Sequence, residues 1–218
     1  MTRNLNSERR GPEDADSVVV FLHGYGADGA DLLGLAQPLG AYLPKTAFYA
    51  PDAPERCTNN PMGFQWFPIP WLDWSSEEAA RQGMAASIDD LNAFLDAVIA
   101  REEIAADRLI LIGFSQGTMM ALHVAPRRDE AIGGVVGFSG RLIAPDLMAT
   151  EARHKIPVLL LHGNQDPVVP FADMGLAEKA LKDAGFDVAT HVMPNTGHGI
   201  SPDGLSTALS FIKSRLGA

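Results

Sequence analysis

The sequence predicts an α/β fold with a mostly parallel central sheet and helices on both faces. Two observations lead there. Short, β-branched apolar runs alternate along the chain with segments of helical periodicity, the pattern of repeated βαβ units. The chain has 218 residues, 46% hydrophobic and 20% charged, which suits one globular domain burying about 70% of its unfolded surface.

Taken in order, residues 1–16 are polar and read as a mobile tail, with a single domain over 17–218. Residues 17–22 form a β-branched run ending in His23-Gly24, a buried strand entering a tight turn. A helix is expected over 28–39 and a strand over 46–50. Residues 52–74 show no periodicity, hold many Pro and Gly, and contain all three Trp of the chain, which suits a lid or a self-packed loop. The clearest helix is expected over 75–101. Ser75 and Glu78 are spaced as a capping box, and Met84, Ile88, Leu91, Leu95 and Val98 recur at helical spacing for packing. Strands are then expected over 108–112, 132–138, 157–161 and 186–193, with helices over 115–125, 171–184 and 204–216.

Composition narrows the function. The formal net charge is -10 and no run of Lys or Arg forms a phosphate-binding stripe, so a nucleic-acid partner is not expected. The single Cys closes no intramolecular bridge. No apolar stretch approaches the ~18 residues of a spanning helix, and the opening residues lack the apolar core of a signal peptide. The expectation is a soluble, cytoplasmic protein without a transmembrane segment.

The strongest chemical signal is Gly113-Phe114-Ser115-Gln116-Gly117, a G-x-S-x-G between an apolar strand and an apolar helix. That context puts Ser115 in a strained turn at the carboxyl edge of the sheet, with glycines allowing close backbone approach. A Ser hydroxyl needs a base to take its proton and an acid to orient that base. Six His compete. His123 lies roughly 12 Å along the helix that Ser115 begins, too far to reach the hydroxyl. His23 and His162 sit in His-Gly pairs where bonding to loop backbone is the default, and His154 and His191 have no catalytic context. His198, in Asn195-Thr196-Gly197-His198-Gly199 after the last expected strand, is the candidate base. Asp166, at another strand end, is the candidate acid.

The chain order Ser115, Asp166, His198 is the order of α/β-hydrolases. A tetrahedral intermediate needs two backbone N–H donors, expected from Gln116 at a helix N-terminus and from Tyr25 in the turn after the first core strand. That turn also spells G-x-G-x-x-G over 24–29 with Asp52 beyond it, but a dinucleotide site leaves Ser115, Asp166 and His198 unexplained. No H-E-x-x-H or Cys cluster argues for a metal, and Cys57 lies in no strand-to-helix elbow.

These motifs resemble the phospholipase/carboxylesterase family of α/β-hydrolases, which includes acyl-protein thioesterases and small bacterial carboxylesterases. The likeness rests on Phe21-Leu22-His23-Gly24 with Gly26, Pro51 and Pro54, Trp71-Leu72-Asp73, the Ser115 pentapeptide, Phe138-Ser139-Gly140, His162-Gly163 through Pro170, and Gly197-His198. The resemblance implies the triad Ser115, Asp166 and His198, oxyanion N–H groups from Tyr25 and Gln116, and cofactor-free hydrolysis of esters or thioesters. Tyr25 stands where the family usually has Leu, and 63–70 brings extra aromatics.

The expectation is therefore a serine carboxylesterase for short to medium acyl chains, with a small-molecule ester as partner and Trp66, Trp71 and Leu72 as apolar wall. Acyl-protein thioesterase or lysophospholipase activity is the alternative within the class; a non-catalytic binding module is the alternative outside it. The Trp-rich segment suits a pocket wall and a homodimer interface alike.

Overall fold

The computed structural model describes residues 2–218. Seven strands form one sheet: β1 (Ser7–Arg10), β2 (Ser17–Leu22), β3 (Thr46–Pro51), β6 (Leu109–Phe114), β7 (Gly134–Phe138), β8 (Val158–Gly163) and β9 (Val188–Met193). Their spatial order is β1-β3-β2-β6-β7-β8-β9. Only the β1–β3 pair is antiparallel. A separate hairpin joins β4 (Glu55–Arg56) to β5 (Phe64–Gln65).

The central strands are buried on both faces, which is why they read as continuous apolar runs. Alternate residues feed opposite cores. Val18, Val20, Leu22, Leu109 and Leu111 pack towards the side that holds Leu91 and Leu95 of α4 (Glu77–Glu102), α5 (Gln116–Val124) and α7 (Ala172–Asp183). Val19, Phe21, Ile110 and Ile112 pack towards α1 (Gly29–Leu33), α2 (Ala36–Gly40) and α8 (Pro202–Leu216). The expected α/β-hydrolase architecture, a mostly parallel sheet covered on both faces, is the one observed.

The polar tail expected over 1–16 is corrected: Ser7–Arg10 is an edge strand of the sheet. Its inward residues, Ser7 and Arg9, are polar, so no apolar alternation announced it. Arg9 reaches across to Glu102, with Nε to Oε1 at 2.9 Å and Nη2 to Oε2 at 2.8 Å, while Arg3 bonds Asp90 through its N–H and Nε. Backbone pairing and buried ion pairs do the work that apolar side chains do elsewhere.

The helix expected over 28–39 is two short helices, α1 and α2. Pro38 explains the break, because a continuous helix would need its missing N–H and would drive its ring into the Gly34 carbonyl. The long helix is capped one residue later than expected: Ser76, not Ser75, accepts the Ala79 N–H at 3.0 Å. Ser75 belongs to the preceding turn, where its N–H donates to Asp73 Oδ1 at 3.0 Å. The remaining expected elements agree with the structure to within three residues at their ends.

Residues 52–74 are more ordered than their sequence suggests. They contain the β4–β5 hairpin and the short α3 (Pro70–Asp73), after which Trp74 takes a left-handed φ of 60°. Among the described residues no helix is long and apolar enough to cross a membrane.

Candidate active site

The site assembles at the carboxyl ends of β2, β6, β8 and β9. β6 ends at Phe114 and α5 begins at Gln116, so Ser115 alone makes the turn between them, at φ 53° and ψ -114°. That left-handed φ is strained for a residue with a Cβ and presents the side chain clear of both elements. The Ser115 N–H donates to the Phe138 carbonyl at 2.9 Å, tying the turn to the end of β7.

Close approach explains the flanking glycines. A Cβ on Gly117 would stand 1.8 Å from the Leu22 carbonyl oxygen, and one on Gly113 would stand 2.4 Å from the Thr118 nitrogen. Gly117→Val is therefore expected to cost more than about 3 kcal/mol or to prevent cooperative folding, since backbone and not a flexible side chain occupies the space. Urea unfolding of the variant checks this, and a wild-type midpoint would refute it.

Asp166 follows β8. Its Oδ1 accepts the N–H groups of Val168 at 2.8 Å and Val169 at 2.9 Å, and its Oδ2 faces His198 Nδ1 at 2.8 Å. Burial pushes the Asp166 carboxyl up, but the His198 hydrogen bond and the two backbone donors outweigh it and hold its pKa below the usual carboxylate value. His162 Nε2 lies 3.0 Å from the Val169 carbonyl and 3.3 Å from Asp166 Oδ2, so this histidine buttresses the acid as well as the loop.

His198 comes from the turn after β9. Gly163 makes room for that turn, since a Cβ there would meet the Thr196 and Gly197 carbonyl oxygens at 2.3 Å. The Gln165 N–H donates to the Thr196 carbonyl at 3.0 Å, joining the two loops directly. With Nδ1 committed to a carboxylate as donor, Nε2 is left as the acceptor. The imidazole packs on Phe114, the residue before Ser115, with ring centroids 4.8 Å apart.

The turn bearing Tyr25 abuts the elbow: a Cβ on Gly24 would stand 3.3 Å from Ser115 Cβ. The Tyr25 hydroxyl donates to Asp73 Oδ2 at 3.2 Å, and the Ile69 N–H donates to the same oxygen at 2.8 Å. Asp73 thereby anchors the turn bearing Tyr25 to α3. His23 is buried, its Nδ1 bonded to the Gly24 carbonyl at 2.8 Å and its Nε2 accepting the Ala53 N–H at 2.9 Å. Burial lowers its pKa, keeping the ring neutral.

The glycine-rich turn has no room for a dinucleotide. Asp52 Oδ1 accepts the Gly29 N–H at 2.9 Å, putting a carboxylate where a pyrophosphate would sit, and Gly63 packs directly on the Gly26 carbonyl. His123 is distant on α5, with its pKa lowered to about 4 by burial and by Arg127. His154 and His191 bond Asp129 and Asp203 away from the elbow. Cys57 is buried in the hairpin.

One expected wall residue is corrected. Trp66 is 0% exposed and offers substrate no surface. Its main-chain N–H donates to Gln116 Oε1 at 2.9 Å and its indole Nε1–H to the His23 carbonyl at 3.0 Å. Trp71 and Leu72, at 71% and 47% exposure, do stand at the surface. Sequence reasoning missed the Gln116 and Asp73 side chains. Gln116 was visible inside the pentapeptide, but only its backbone had an assigned purpose; Asp73 was visible beside Trp71, without a partner to point to.

Fold and site together define an esterase- or thioesterase-type hydrolase of the α/β-hydrolase class. The sequence profile of the phospholipase/carboxylesterase family matches residues 9–216, and the chain belongs to that family. It is 31% identical over 211 residues to a probable carboxylesterase of Oryza sativa, covering 93% of this chain and 79% of that one. It is 29% identical over 216 residues to acyl-protein thioesterase 1 of Gibberella zeae, covering 92% and 91%. Among solved structures it is similar to the crystal structure of esterase PE8, with a TM-score of 0.91, 39% identity and coverage of 98% and 100%.

Proposed function

We propose that the chain is a serine carboxylesterase that hydrolyses short- to medium-chain carboxylic esters through an acyl-enzyme on Ser115. The observation that carries this reading is the 2.8 Å contact of His198 Nδ1 with Asp166, made by an imidazole that lies against Phe114, the residue before Ser115.

Ser115 Oγ attacks the ester carbonyl while His198 Nε2 takes its proton. Asp166 holds the imidazole in the tautomer with the proton on Nδ1 and stabilises the imidazolium that forms. The Tyr25 and Gln116 N–H groups receive the oxyanion, aided by the positive end of α5. His198 then returns the proton to the leaving alkoxide, and the alcohol departs. Water enters, His198 takes its proton, and the hydroxyl adds to the acyl carbon. Collapse of that second intermediate breaks the acyl–Oγ bond, returns the proton to Ser115 and releases the acid.

Support for a short acyl chain comes from the edge next to the elbow. Gly140 abuts the Ser115 carbonyl, and immediately beyond it Arg141, Leu142, Pro145, Asp173, Leu176 and Ala177 line a cavity of about 170 Å³. Trp71 and Leu72 are proposed as the apolar wall, the Trp71 ring lying 5.9 Å from the Arg141 guanidinium of that cavity.

A second reading, hydrolysis of long-chain thioesters or lysophospholipids, is favoured by the exposure of Trp71, Trp74, Val168 and Leu176. A p-nitrophenyl ester series from roughly two to sixteen carbons, run beside Ser115→Ala, separates the two. A Ser115-dependent maximum below about eight carbons is expected; a maximum beyond about ten selects the second reading, and inertness at every length leaves a binding module.

A further inference from the structure

We propose that Trp66 is the positioning residue that holds the two halves of the oxyanion hole in register, an inference that rests on the esterase reading above. The two donors sit on separate chain segments, Tyr25 in the turn after β2 and Gln116 at the head of α5. Pairing of β2 with β6 and the contact of Gly117 with the Leu22 carbonyl bring them together, and further bonds fix the turn that carries Tyr25. Trp66, directly after β5, bonds to both.

Its indole N–H holds the carbonyl of His23, two residues before Tyr25, at 3.0 Å. Its main-chain N–H holds Gln116 Oε1 at 2.9 Å, and Gln116 Nε2 returns a bond to the Phe67 carbonyl at 2.8 Å. Ser87 Oγ of α4 donates to the Trp66 carbonyl, fixing the tryptophan from behind. The indole lies against the His23 imidazole, centroids 5.7 Å apart, and that imidazole is itself bonded on both nitrogens. Trp66, His23, Gln116 and Ser87 are all buried, so these bonds face little competition from water. Gln116 thus contributes through its main chain to the oxyanion site and through its side chain to the latch.

An oxyanion hole stabilises charge only when its donors converge on the oxygen the transition state creates. Small displacements of one donor cost rate and leave ground-state binding intact. Trp66→Phe keeps a ring in the core but removes the bond to His23. The substrate is p-nitrophenyl butyrate. The probes are a trifluoromethyl ketone, which adds Ser115 Oγ to form a hemiketal oxyanion, and the matching methyl ketone, which binds without significant addition.

Trp66→Phe is expected to lower kcat about tenfold with KM within about twofold, and to weaken the trifluoromethyl ketone by the same factor while sparing the methyl ketone. Gln116→Met, which keeps the backbone donor and breaks the latch from its other side, is expected to show the same split. It carries the test should Trp66→Phe fail to fold. Wild-type kcat and inhibitor affinity in a folded variant would overturn the inference alone. So would equal losses for both ketones, which mark general deformation. A wild-type chain inert towards the ester overturns the esterase reading and this inference together.

Discussion

Ser115→Ala is expected to lower kcat towards p-nitrophenyl butyrate by about 10⁴-fold or more, with unfolding free energy within about 0.5 kcal/mol of wild type. In the proposed mechanism the hydroxyl forms the acyl-enzyme, whereas the fold around it depends on main-chain atoms: the N–H bond to Phe138 and the contacts of Gly113 and Gly117. Alanine keeps the Cβ and with it the strain at φ 53°. Ser115→Gly is the informative companion. Glycine adopts that φ without steric cost, so the variant is expected to be equally inactive and more stable by about 1 kcal/mol. Burst kinetics and urea unfolding on the three chains check both halves. More than about a tenth of wild-type turnover in either variant would exclude Ser115 as nucleophile.

Asp166→Asn is expected to reduce kcat by about 10³- to 10⁴-fold while the geometry persists. The Val168 and Val169 N–H groups require an acceptor at the Oδ1 position, so the amide oxygen goes there and the NH₂ faces His198 Nδ1. That nitrogen must then accept, its proton moves to Nε2, and Nε2 becomes a donor that cannot take the proton the proposed mechanism assigns to it.

The same substitution changes acid stability with a definite sign. The folded pKa of Asp166 is depressed, so its stabilising contribution is fully present above the unfolded carboxylate pKa of about 4 and is lost as pH falls through the lower folded value. The wild type is expected to lose stability across that window by more than the variant. Urea midpoints at neutral and acid pH give the comparison; parallel losses would show that Asp166 is not the stabilised anion the geometry describes.

Local rules were enough to locate what depends on local chemistry. The elbow was legible because a strand, a strained residue and a helix are contiguous, and glycine is demanded at Gly113 and Gly117 by the backbone itself. That Asp166 and His198 meet was legible because a parallel sheet delivers every strand's carboxyl end to one edge, whatever the sequence distance between them. Strand β1 was not legible. Its inward residues, Ser7 and Arg9, are polar, and the partner that accommodates an inward Arg9, Glu102, lies on a helix far along the chain. The helix cap is Ser76 and not Ser75, which the Asp73 carboxylate holds in the preceding turn.

Trp66 marks the boundary between the two kinds of information. A tryptophan in an aperiodic, Pro-rich segment suits a substrate wall as well as a buried strut, and its composition is the same in both. The sequence by itself determined the α/β-hydrolase class, the order Ser115, Asp166, His198 and the glycine-lined turns, since each follows from periodicity or from steric demands spanning a few residues. Only the tertiary structure decided that Trp66 is fully buried between two loops, that Gln116 uses both its main chain and its side chain, and that His162 stands behind Asp166. Those assignments depend on hydrogen bonds between segments seven to fifty residues apart, and the partner of a buried donor is chosen by packing, which no local pattern encodes.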